Sequence, residues 1–273
     1  MITLSGDSLT VSVLDPVADR HLLGTRYCTA GFVFQVQDAG RGPLLAGPTY
    51  PHAYELFGGQ GAPDAFQPHL PVERAGDGTP SRVLGIGIGL IDAAANEVIT
   101  WCPWAIEGDG GTLRFRTVQE AARWRFMLER TLALRGRTLR VQTLIANGGD
   151  YLPFQWYPHP FFPHHPGGEC CRFNVPVTLP DNPGYELRDN GFIARKSVPW
   201  SGRDHFQLVG HPGDRPLVVM QRHPVTGLVV ASCDYVPTRL PIWGNDCTFS
   251  FEPYHERMLQ PGEEARWSIT YDF

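Results

Sequence analysis

The sequence lacks both a long apolar run and a run of Lys or Arg. A membrane-spanning helix needs about 20 consecutive apolar residues, and a nucleic-acid backbone is usually bound through clustered positive charge. The formal net charge is −5 and the pI is near 6.0, which also argues against a nucleic-acid partner. We therefore expect neither a membrane nor a nucleic acid as a partner.

The cysteines lack any pair with the CxxC spacing of zinc or redox sites. Six are present: Cys28, Cys102, Cys170, Cys171, Cys233 and Cys247. Their irregular spacing predicts neither a structural zinc site nor a disulfide framework. The first ten residues, MITLSGDSLT, show no basic segment followed by an apolar run, so no signal peptide is expected. These observations favour a cytoplasmic protein with reduced thiols.

Helix signals are scarce, and 25 prolines and 30 glycines punctuate the whole chain. The best helix candidate is 118–134, but apolar residues alternate along its second half. A turn at Gly136 and the alternating run 138–145 follow, so a β-hairpin is favoured over a helix. Other candidate strands are 9–15, 31–37, 83–91, 112–117, 172–179, 191–197, 205–210, 216–222, 227–235, 247–254 and 265–273.

Many short strands separated by turn signals predict an all-β protein, specifically a large antiparallel β-sandwich. No linker or internal repeat divides residues 1–273, so we expect a single domain. The glycine-rich GIGIG at 85–89 is not a GxGxxG motif before a helix, and it is interpreted as part of a strand. Residues 38–80 form the longest strand-poor stretch, which predicts a functional segment or one with its own elements.

The stretch QWYPHPFFPHH, residues 155–165, combines four aromatic residues, three histidines and three prolines. Pro158 and Pro160 restrict the backbone on both sides of His159, as a positioned general acid requires. A histidine satisfied within the core is the alternative. His164 and His165 fit no familiar metal-ligand spacing and are interpreted as loop histidines.

Glu252 ends an apolar strand, directly before Pro253. A carboxylate among Phe249, Phe251 and Tyr254 would be partly desolvated, and desolvation raises its pKa toward neutrality. A strand-end glutamate facing solvent is the alternative. With His159, Glu252 makes a candidate acid–base pair.

Three segments resemble the galactose mutarotase-like superfamily, aldose 1-epimerase type. They are GTRYCTAGFVFQVQ (24–37), RWRFMLERTLALRGRTLRVQTLIANGGDYLPFQWYPHPFF (123–162) and SFEPYHERMLQPGEEARWSITYDF (250–273). The second contains an "HPxF" motif at His159, and the third contains an "EP" strand at Glu252 and a later "PGE". The resemblance implies a very large antiparallel β-sandwich that interconverts sugar anomers, with His159 as general acid and Glu252 as general base.

The resemblance also implies a small carbohydrate as partner, a monomer or homodimer, and no metal or organic cofactor. Candidate substrate-binding residues are Arg26, Glu55, Trp156, Tyr157, Asp234 and Trp243. The rings of this set would form platforms for a sugar face, and Arg26 and Asp234 would meet its hydroxyls. The "NHxYFN" and arginine motifs of galactose-type enzymes have no legible counterpart, and in 50–70 His52, Glu55 and His69 are their candidate replacements.

Two other functions remain open at this stage. One is a non-catalytic carbohydrate-binding domain on the same fold, and the other is an epimerase or lyase for a modified or acidic sugar. The first differs from an active enzyme in whether His159 and Glu252 face one pocket. Several arginines around that pocket would favour the second.

Overall fold

The computed structural model describes residues 1–273 and contains one helical element, a 3-10 turn at Arg20–Leu22. Everything else with regular structure is β-strand. The strands are β1 (Ile2–Ser5), β2 (Leu9–Val13), β3 (Val33–Asp38), β4 (Gly42–Pro43), β5 (Asp64–Gln67), β6 (Leu70–Arg74), β7 (Pro80–Gly85), β8 (Gly89–Asp92), β9 (Glu97–Trp101), β10 (Ala105–Asp109), β11 (Thr112–Ala121), β12 (Trp124–Arg135), β13 (Thr138–Asn147), β14 (Leu152–Pro158), β15 (Phe162–Pro163), β16 (Glu169–Phe173), β17 (Tyr185–Leu187), β18 (Ile193–Arg195), β19 (His205–Val209), β20 (Val218–His223), β21 (Gly227–Cys233), β22 (Leu240–Gly244), β23 (Thr248–Phe251), β24 (His255–Leu259) and β25 (Glu264–Asp272).

The strands form one ten-stranded sheet and four smaller ones, and every ladder is antiparallel. The large sheet has the order β10-β11-β12-β13-β25-β21-β20-β16-β18-β17. Two small sheets carry the residues of interest below, namely β24-β14-β5 and β15-β23-β22-β19. The predicted all-β class, a large antiparallel β-sandwich, is confirmed.

The hairpin predicted from alternation is present as β12–β13 in the large sheet. Every second residue of β12 is buried, which is the pattern of a strand with one face on the core. Ala122 and Gly136 adopt positive φ in the two turns that flank β12. The helix alternative for 118–134 is therefore wrong, since the apolar period of two governs the whole segment.

Residues 83–91 do not form the single strand that their apolar run predicts. β7 ends at Gly85 and β8 begins at Gly89, and the N–H of Ile88 donates to the carbonyl of Gly85 at 3.0 Å, which closes a tight turn. Gly87 has φ +73°, and a Cβ on Gly89 would lie 2.0 Å from the carbonyl oxygen of Thr100. Glycine is needed at both places, so the glycines mark a hairpin rather than a bend within one strand.

The strand-poor stretch 38–80 contains elements of its own, as one of its two interpretations predicted. β4, β5 and β6 lie within it, and β5 pairs with β14. The part between β4 and β5 is free of strand and includes a loop, residues 47–61, that lies beside the site described below.

Most buried apolar side chains form one core of 51 residues on and between the sheets. A second, smaller cluster of six lies apart from it: Leu14, Leu23, Tyr27, Phe32, Ala65 and Tyr157. Two members of this small cluster, Tyr27 and Tyr157, belong to the surroundings of His159. No helix that could cross a membrane is present.

Candidate active site

His159 follows β14 and is fixed by backbone hydrogen bonds on both sides. Its N–H donates to the carbonyl of Pro63 at 2.8 Å, and the N–H of Phe161 donates to the carbonyl of Gly61 at 2.7 Å. Pro158 on one side and Pro160 on the other restrict φ. The imidazole therefore has a rigid mount, which the two prolines predicted.

Glu252 follows β23 and has a similar mount. Its N–H donates to the carbonyl of Pro241 at 2.9 Å, which ties it to β22. The carbonyl of the next residue, Pro253, accepts from the Tyr235 hydroxyl at 2.8 Å. The carboxyl group is thus held on a sheet different from the one that carries His159.

The two side chains meet although 92 residues separate them along the chain, from 160 to 251. His159 Nε2 lies 3.1 Å from Glu252 Oε1. His159 is 2% exposed and Glu252 is 5% exposed. The Nδ1 atom of His159 is buried without a hydrogen-bond partner, so the ring has unused hydrogen-bonding capacity. A carboxyl and an imidazole that lie this close together and are shielded from water can exchange a proton.

Burial sets the proton affinity of both groups. It raises the pKa of Glu252 to about 7, although the positive charge of Arg26 opposes the rise. Burial also lowers the pKa of His159 well below its ordinary value, and Arg26 adds to that effect. At neutral pH the imidazole is therefore neutral, and the carboxyl is near the midpoint of its titration.

Arg26 is the cation whose positive charge acts on the pKa of both His159 and Glu252. Its guanidinium is half-buried, lies 4.9 Å from the Tyr27 ring centroid and 5.0 Å from that of Phe57, and donates to the Phe57 carbonyl at 3.3 Å. No carboxylate lies within 4 Å of it, unlike the paired arginines elsewhere on the chain. It is free to bind oxygen atoms of a ligand.

Aromatic rings surround His159 on several sides. The ring centroids of Phe161, Trp243 and Tyr27 lie 4.5, 5.7 and 6.1 Å from that of the imidazole. Tyr157 lies 6.2 Å away and stacks on Tyr254 at 4.4 Å. Trp243 and Tyr254 are only partly buried, so they form the accessible part of this wall.

Two of the predicted substrate-binding residues lie elsewhere. Trp156 is fully buried in the main core and packs against Trp267, so the expectation that it offers a platform to a sugar is corrected. Trp156 and Tyr157 are neighbours on one strand, and neighbours on a strand face opposite ways. Asp234 accepts hydrogen bonds from the N–H and hydroxyl of Ser268 and lies 3.8 Å from Arg140, with no bond to His159 or Arg26.

The 50–70 region contacts the site through its backbone rather than through its ionisable side chains. The Gly58 carbonyl accepts from the Tyr27 hydroxyl at 3.0 Å. Glu55 and His52 are exposed on the loop, and the Glu55 carbonyl accepts from the N–H of Gly59. His69 is half-buried near Thr25, and burial lowers its pKa.

A second buried pair lies beside the segment that carries His159. Arg130 is completely buried on β12 and donates to both carboxylate oxygens of Asp64 on β5. Asp64 is opposite Pro158 in the β5–β14 ladder. Sequence reasoning missed this pair because Arg130 stands at an alternating position that is otherwise apolar, and nothing local marks its partner.

His164 and His165 do not join His159 in a cluster of metal ligands. No group of three or more His, Cys, Asp or Glu side chains converges anywhere in the structure in the manner of a metal site. His164 Nε2 donates to the carbonyl of Asn245 at 2.8 Å.

Solved structures with the same architecture are readily found. A galactose mutarotase related enzyme of Lactobacillus acidophilus matches with a TM-score of 0.60 at 13% identity, over 99% of this chain and 96% of that one. A galactose mutarotase-like protein of Lactobacillus casei matches with a TM-score of 0.57 at 12% identity, over 100% and 99%. A galactose 1-epimerase of Lactobacillus acidophilus matches with a TM-score of 0.52 at 12% identity, over 99% and 92%. The chain has the galactose mutarotase-like fold.

The resemblance predicted from three sequence segments is thus confirmed at the level of the fold. No protein-family model matches the chain, and a search of curated protein sequences finds no match. Because the galactose mutarotase-like fold alone does not fix an activity, the chemistry is argued from the His159–Glu252 geometry.

Proposed function

We propose that the protein is an aldose 1-epimerase, which interconverts the α and β anomers of a free sugar through Glu252 and His159. The close approach of the two groups, 3.1 Å between Oε1 and Nε2, supports this most strongly. Anomer exchange needs one proton moved at the C1 hydroxyl and one at the ring oxygen. Both oxygens are bonded to C1, so the acid and the base must be near neighbours.

Ring opening then follows a balanced course. The Glu252 carboxylate takes the proton of the C1 hydroxyl, a C1=O bond forms, and the bond between C1 and the ring oxygen breaks. The ring oxygen receives the electron pair of that bond and a proton from His159 Nε2. After rotation about the C1–C2 bond the same steps run backward, and the ring closes on the other face of C1.

One mobile proton is enough for the whole cycle. Before opening it is on His159, and after opening Glu252 has gained a proton while His159 has lost one. In the free protein below about pH 7 that proton is on Glu252, because burial raises the pKa of Glu252 to about 7 and lowers that of His159. The free protein is therefore in the protonation state that closes an open-chain sugar, and each proton transfer contributes roughly 10²–10⁴-fold.

The surroundings favour a neutral sugar over an acidic one. Trp243 presents a partly exposed ring against which an apolar sugar face can pack. Arg26 is the one cation whose charge acts on the pKa values of both His159 and Glu252. Several arginines around the pair would favour an acidic sugar, and Arg26 alone acts on both residues.

Other parts of the assignment stay predictions. They are the cytoplasmic location, the monomeric or homodimeric state, the single domain and the lack of a cofactor. A non-catalytic carbohydrate-binding domain would have no use for a carboxyl with a pKa near 7 beside a neutral imidazole. This pairing is the reason for preferring an enzyme.

The test is the rate at which freshly dissolved α-aldoses reach anomeric equilibrium, followed by polarimetry or proton NMR. A panel of neutral and acidic aldoses is compared with and without the protein. We expect acceleration for at least one neutral aldose, lost by roughly 10²–10⁴-fold in Glu252→Gln and in His159→Asn. Glu264→Gln changes an exposed glutamate on β25 and is the matched control with unchanged rate.

No acceleration across the panel would favour the carbohydrate-binding domain. Acceleration of acidic aldoses alone would favour the enzyme of a modified or acidic sugar. An active protein that tolerates both substitutions would show that the chemistry lies outside this pair.

A further inference from the structure

A cavity of about 500 Å³ lies on another part of the molecule, between the turn 165–168 and the segment 195–200. Its walls are almost entirely polar. The side chains that matter for the argument are His164, His165, Arg188, Arg195, Lys196 and Trp200. Three of them are permanent cations, which makes this a basic cavity.

Arg195 differs from the other two cations in having no acidic partner. Its guanidinium carbon lies 4.1 Å from the ring centroid of Trp200, which fixes the plane of the group. No carboxylate lies within 4 Å of it, and its Nε–H is buried without a hydrogen-bond partner. This Nε–H is unsatisfied, because it has lost contact with water and gained no hydrogen-bond acceptor in return.

The acidic groups nearby neutralise the neighbours of Arg195 rather than Arg195 itself. Lys196 Nζ lies 3.1 Å from an Asp181 oxygen, but that carboxylate is fully exposed, so the pair is weak. Arg188 lies 3.4 Å from Glu186 and 3.8 Å from Glu169.

Glu169 is itself shared with Arg222 at 2.8 Å. Asp246 acts on Arg195 from farther than 4 Å, and it is exposed. Arg195 is therefore the one cation of the cavity that has no carboxylate within 4 Å.

Both histidines at the cavity are held by hydrogen bonds to the backbone. Burial lowers the pKa of His164 to about 4, and the charge of Arg195 adds to the effect. His164 donates through Nε2 to the carbonyl of Asn245, and His165 Nδ1 accepts from the N–H of Gly167 at 3.1 Å. The backbone thus fixes the orientation of both rings beside the cationic groups.

The cavity is separate from the His159–Glu252 pair. Phe161 contacts His159, whereas its neighbour Phe162 pairs with Phe249 in the β15–β23 ladder. Tyr185 packs against Phe249 on one side and against Trp200 on the other, with ring centroids 5.9 and 5.5 Å apart. None of the residues that line the cavity is among the side chains that contact His159.

We propose that this cavity is a binding site for a phosphate group, either inorganic phosphate or the phosphate of a small metabolite, with Arg195 as its principal ligand. The planar guanidinium matches two phosphate oxygens at once, and its stacking on Trp200 orients it before the ligand arrives. Lys196 and Arg188 add positive charge at the rim. The volume exceeds that of one phosphate and leaves room for an attached organic group.

The test is titration of the full chain with inorganic phosphate by isothermal calorimetry, at constant ionic strength. We expect saturable binding that weakens by about tenfold or more in Arg195→Met, which keeps the length of the side chain and removes its charge. Arg215→Met is the matched control, since Arg215 is exposed, outside the cavity and paired with Asp214 at 3.0 Å. Its affinity should equal that of the unaltered protein.

Two further measurements keep the proposal open to refutation if Arg195→Met does not fold. Phosphate should shift the ring NMR signals of His164 in the unaltered protein, and a shift only at histidines outside the cavity would overturn the proposal. A hexose phosphate that binds more tightly than inorganic phosphate identifies the ligand as a metabolite, and equal affinity identifies phosphate itself. Lack of any saturable binding, or equal binding by Arg195→Met, rejects the site.

The site is independent of the proposed anomer exchange. Glu252→Gln should therefore bind phosphate as the unaltered protein does. Loss of binding in that variant would contradict a separate site, whereas loss of catalysis with intact binding concerns the His159–Glu252 pair alone.

Discussion

Two buried acid–base pairs lie almost side by side in this protein and are built in opposite ways. Asp64 is opposite Pro158 in the β5–β14 ladder, and His159 is the next residue along the chain. Arg130 donates hydrogen bonds to both carboxylate oxygens of Asp64, with Nη1 2.6 Å from Oδ1. His159 instead approaches one oxygen of Glu252, at 3.1 Å, and leaves its Nδ1 without a partner.

The comparison separates charges that are fixed from charges that can move. Burial acts to lower the pKa of Arg130, but the Asp64 carboxylate beside it raises that pKa above its ordinary value. Burial raises the pKa of Asp64, the Arg130 charge opposes that rise, and both carboxylate oxygens accept hydrogen bonds from Arg130. Burial raises the pKa of Glu252 to about 7, because no arginine or lysine forms an ion pair with its carboxyl group. Its proton is therefore mobile near neutral pH. The first pair supports the strand segment, and the second is suited to chemistry.

Removing one partner of the fixed pair should have the largest effect on stability. Arg130→Met leaves Asp64 buried without its counter-ion and is expected to lower the free energy of unfolding by about 3–5 kcal/mol. Urea unfolding followed by tryptophan fluorescence measures this. The matched control is Arg125→Met on the same strand, where an exposed arginine 3.5 Å from Glu120 should cost less than about 1 kcal/mol.

The double variant Arg130→Met, Asp64→Leu tests whether the loss of stability comes from the unpaired charge of Asp64. Replacing both charges with apolar groups should recover most of the loss, because no buried charge is then left unpaired. A double variant as unstable as Arg130→Met would mean that the pair acts through something other than its charges.

Removing the titratable carboxyl of Glu252 should instead stabilise the folded protein. The pKa of Glu252 is raised from 4.5 to about 7 in the folded chain, so between these values the folded chain holds a proton that the unfolded chain has released. Stability from this group is complete below about pH 4.5 and is lost as the pH rises through about 7. Glu252→Gln escapes this loss and should be more stable than the unaltered protein by up to about 3 kcal/mol at pH 8.

Urea unfolding at pH 5 and pH 8 tests this prediction. The advantage of Glu252→Gln should shrink at pH 5, where the unaltered carboxyl is protonated in the folded chain. An equal difference at both pH values would show that Glu252 does not titrate near neutrality.

A smaller effect is expected from changing Trp243, the partly exposed ring at the wall of the site. Trp243→Ala removes the partly exposed ring and should raise KM about tenfold while the melting temperature changes little. The control is Leu208→Ala on the paired strand β19, whose side chain is 46% exposed. A loss in kcat alone would instead mean that Trp243 acts by holding His159, 5.7 Å away.

Local patterns predicted much of the fold. Alternation with period two correctly predicted the β12–β13 hairpin, since one face of each strand is buried. The same reasoning failed at 83–91, where three glycines turn an apolar run back on itself. Whether glycine continues or reverses a strand depends on what lies opposite, here the Thr100 carbonyl, and the local sequence does not contain that information.

The site was predictable in part. Rigid mounts and apolar flanks singled out His159 and Glu252, and the fold brings them together. Strand alternation should have separated Trp156 from Tyr157 and pointed to Phe161, which shares the face of His159. Tyr27 and the Arg130–Asp64 pair come from distant segments, and no local signal marks such a meeting.

The pH dependence of kcat/KM for anomer exchange tests the central claim most directly, namely that one mobile proton serves the His159–Glu252 pair. The spontaneous rate in the same buffer is subtracted at each pH. We predict a plateau below about pH 7 and a fall of roughly tenfold per pH unit above it, as the proton leaves Glu252. On the acid side activity should persist until well below the ordinary pKa of histidine, because burial lowers the pKa of His159. A rate that rises through pH 7, or no catalysis at any pH, would contradict the account.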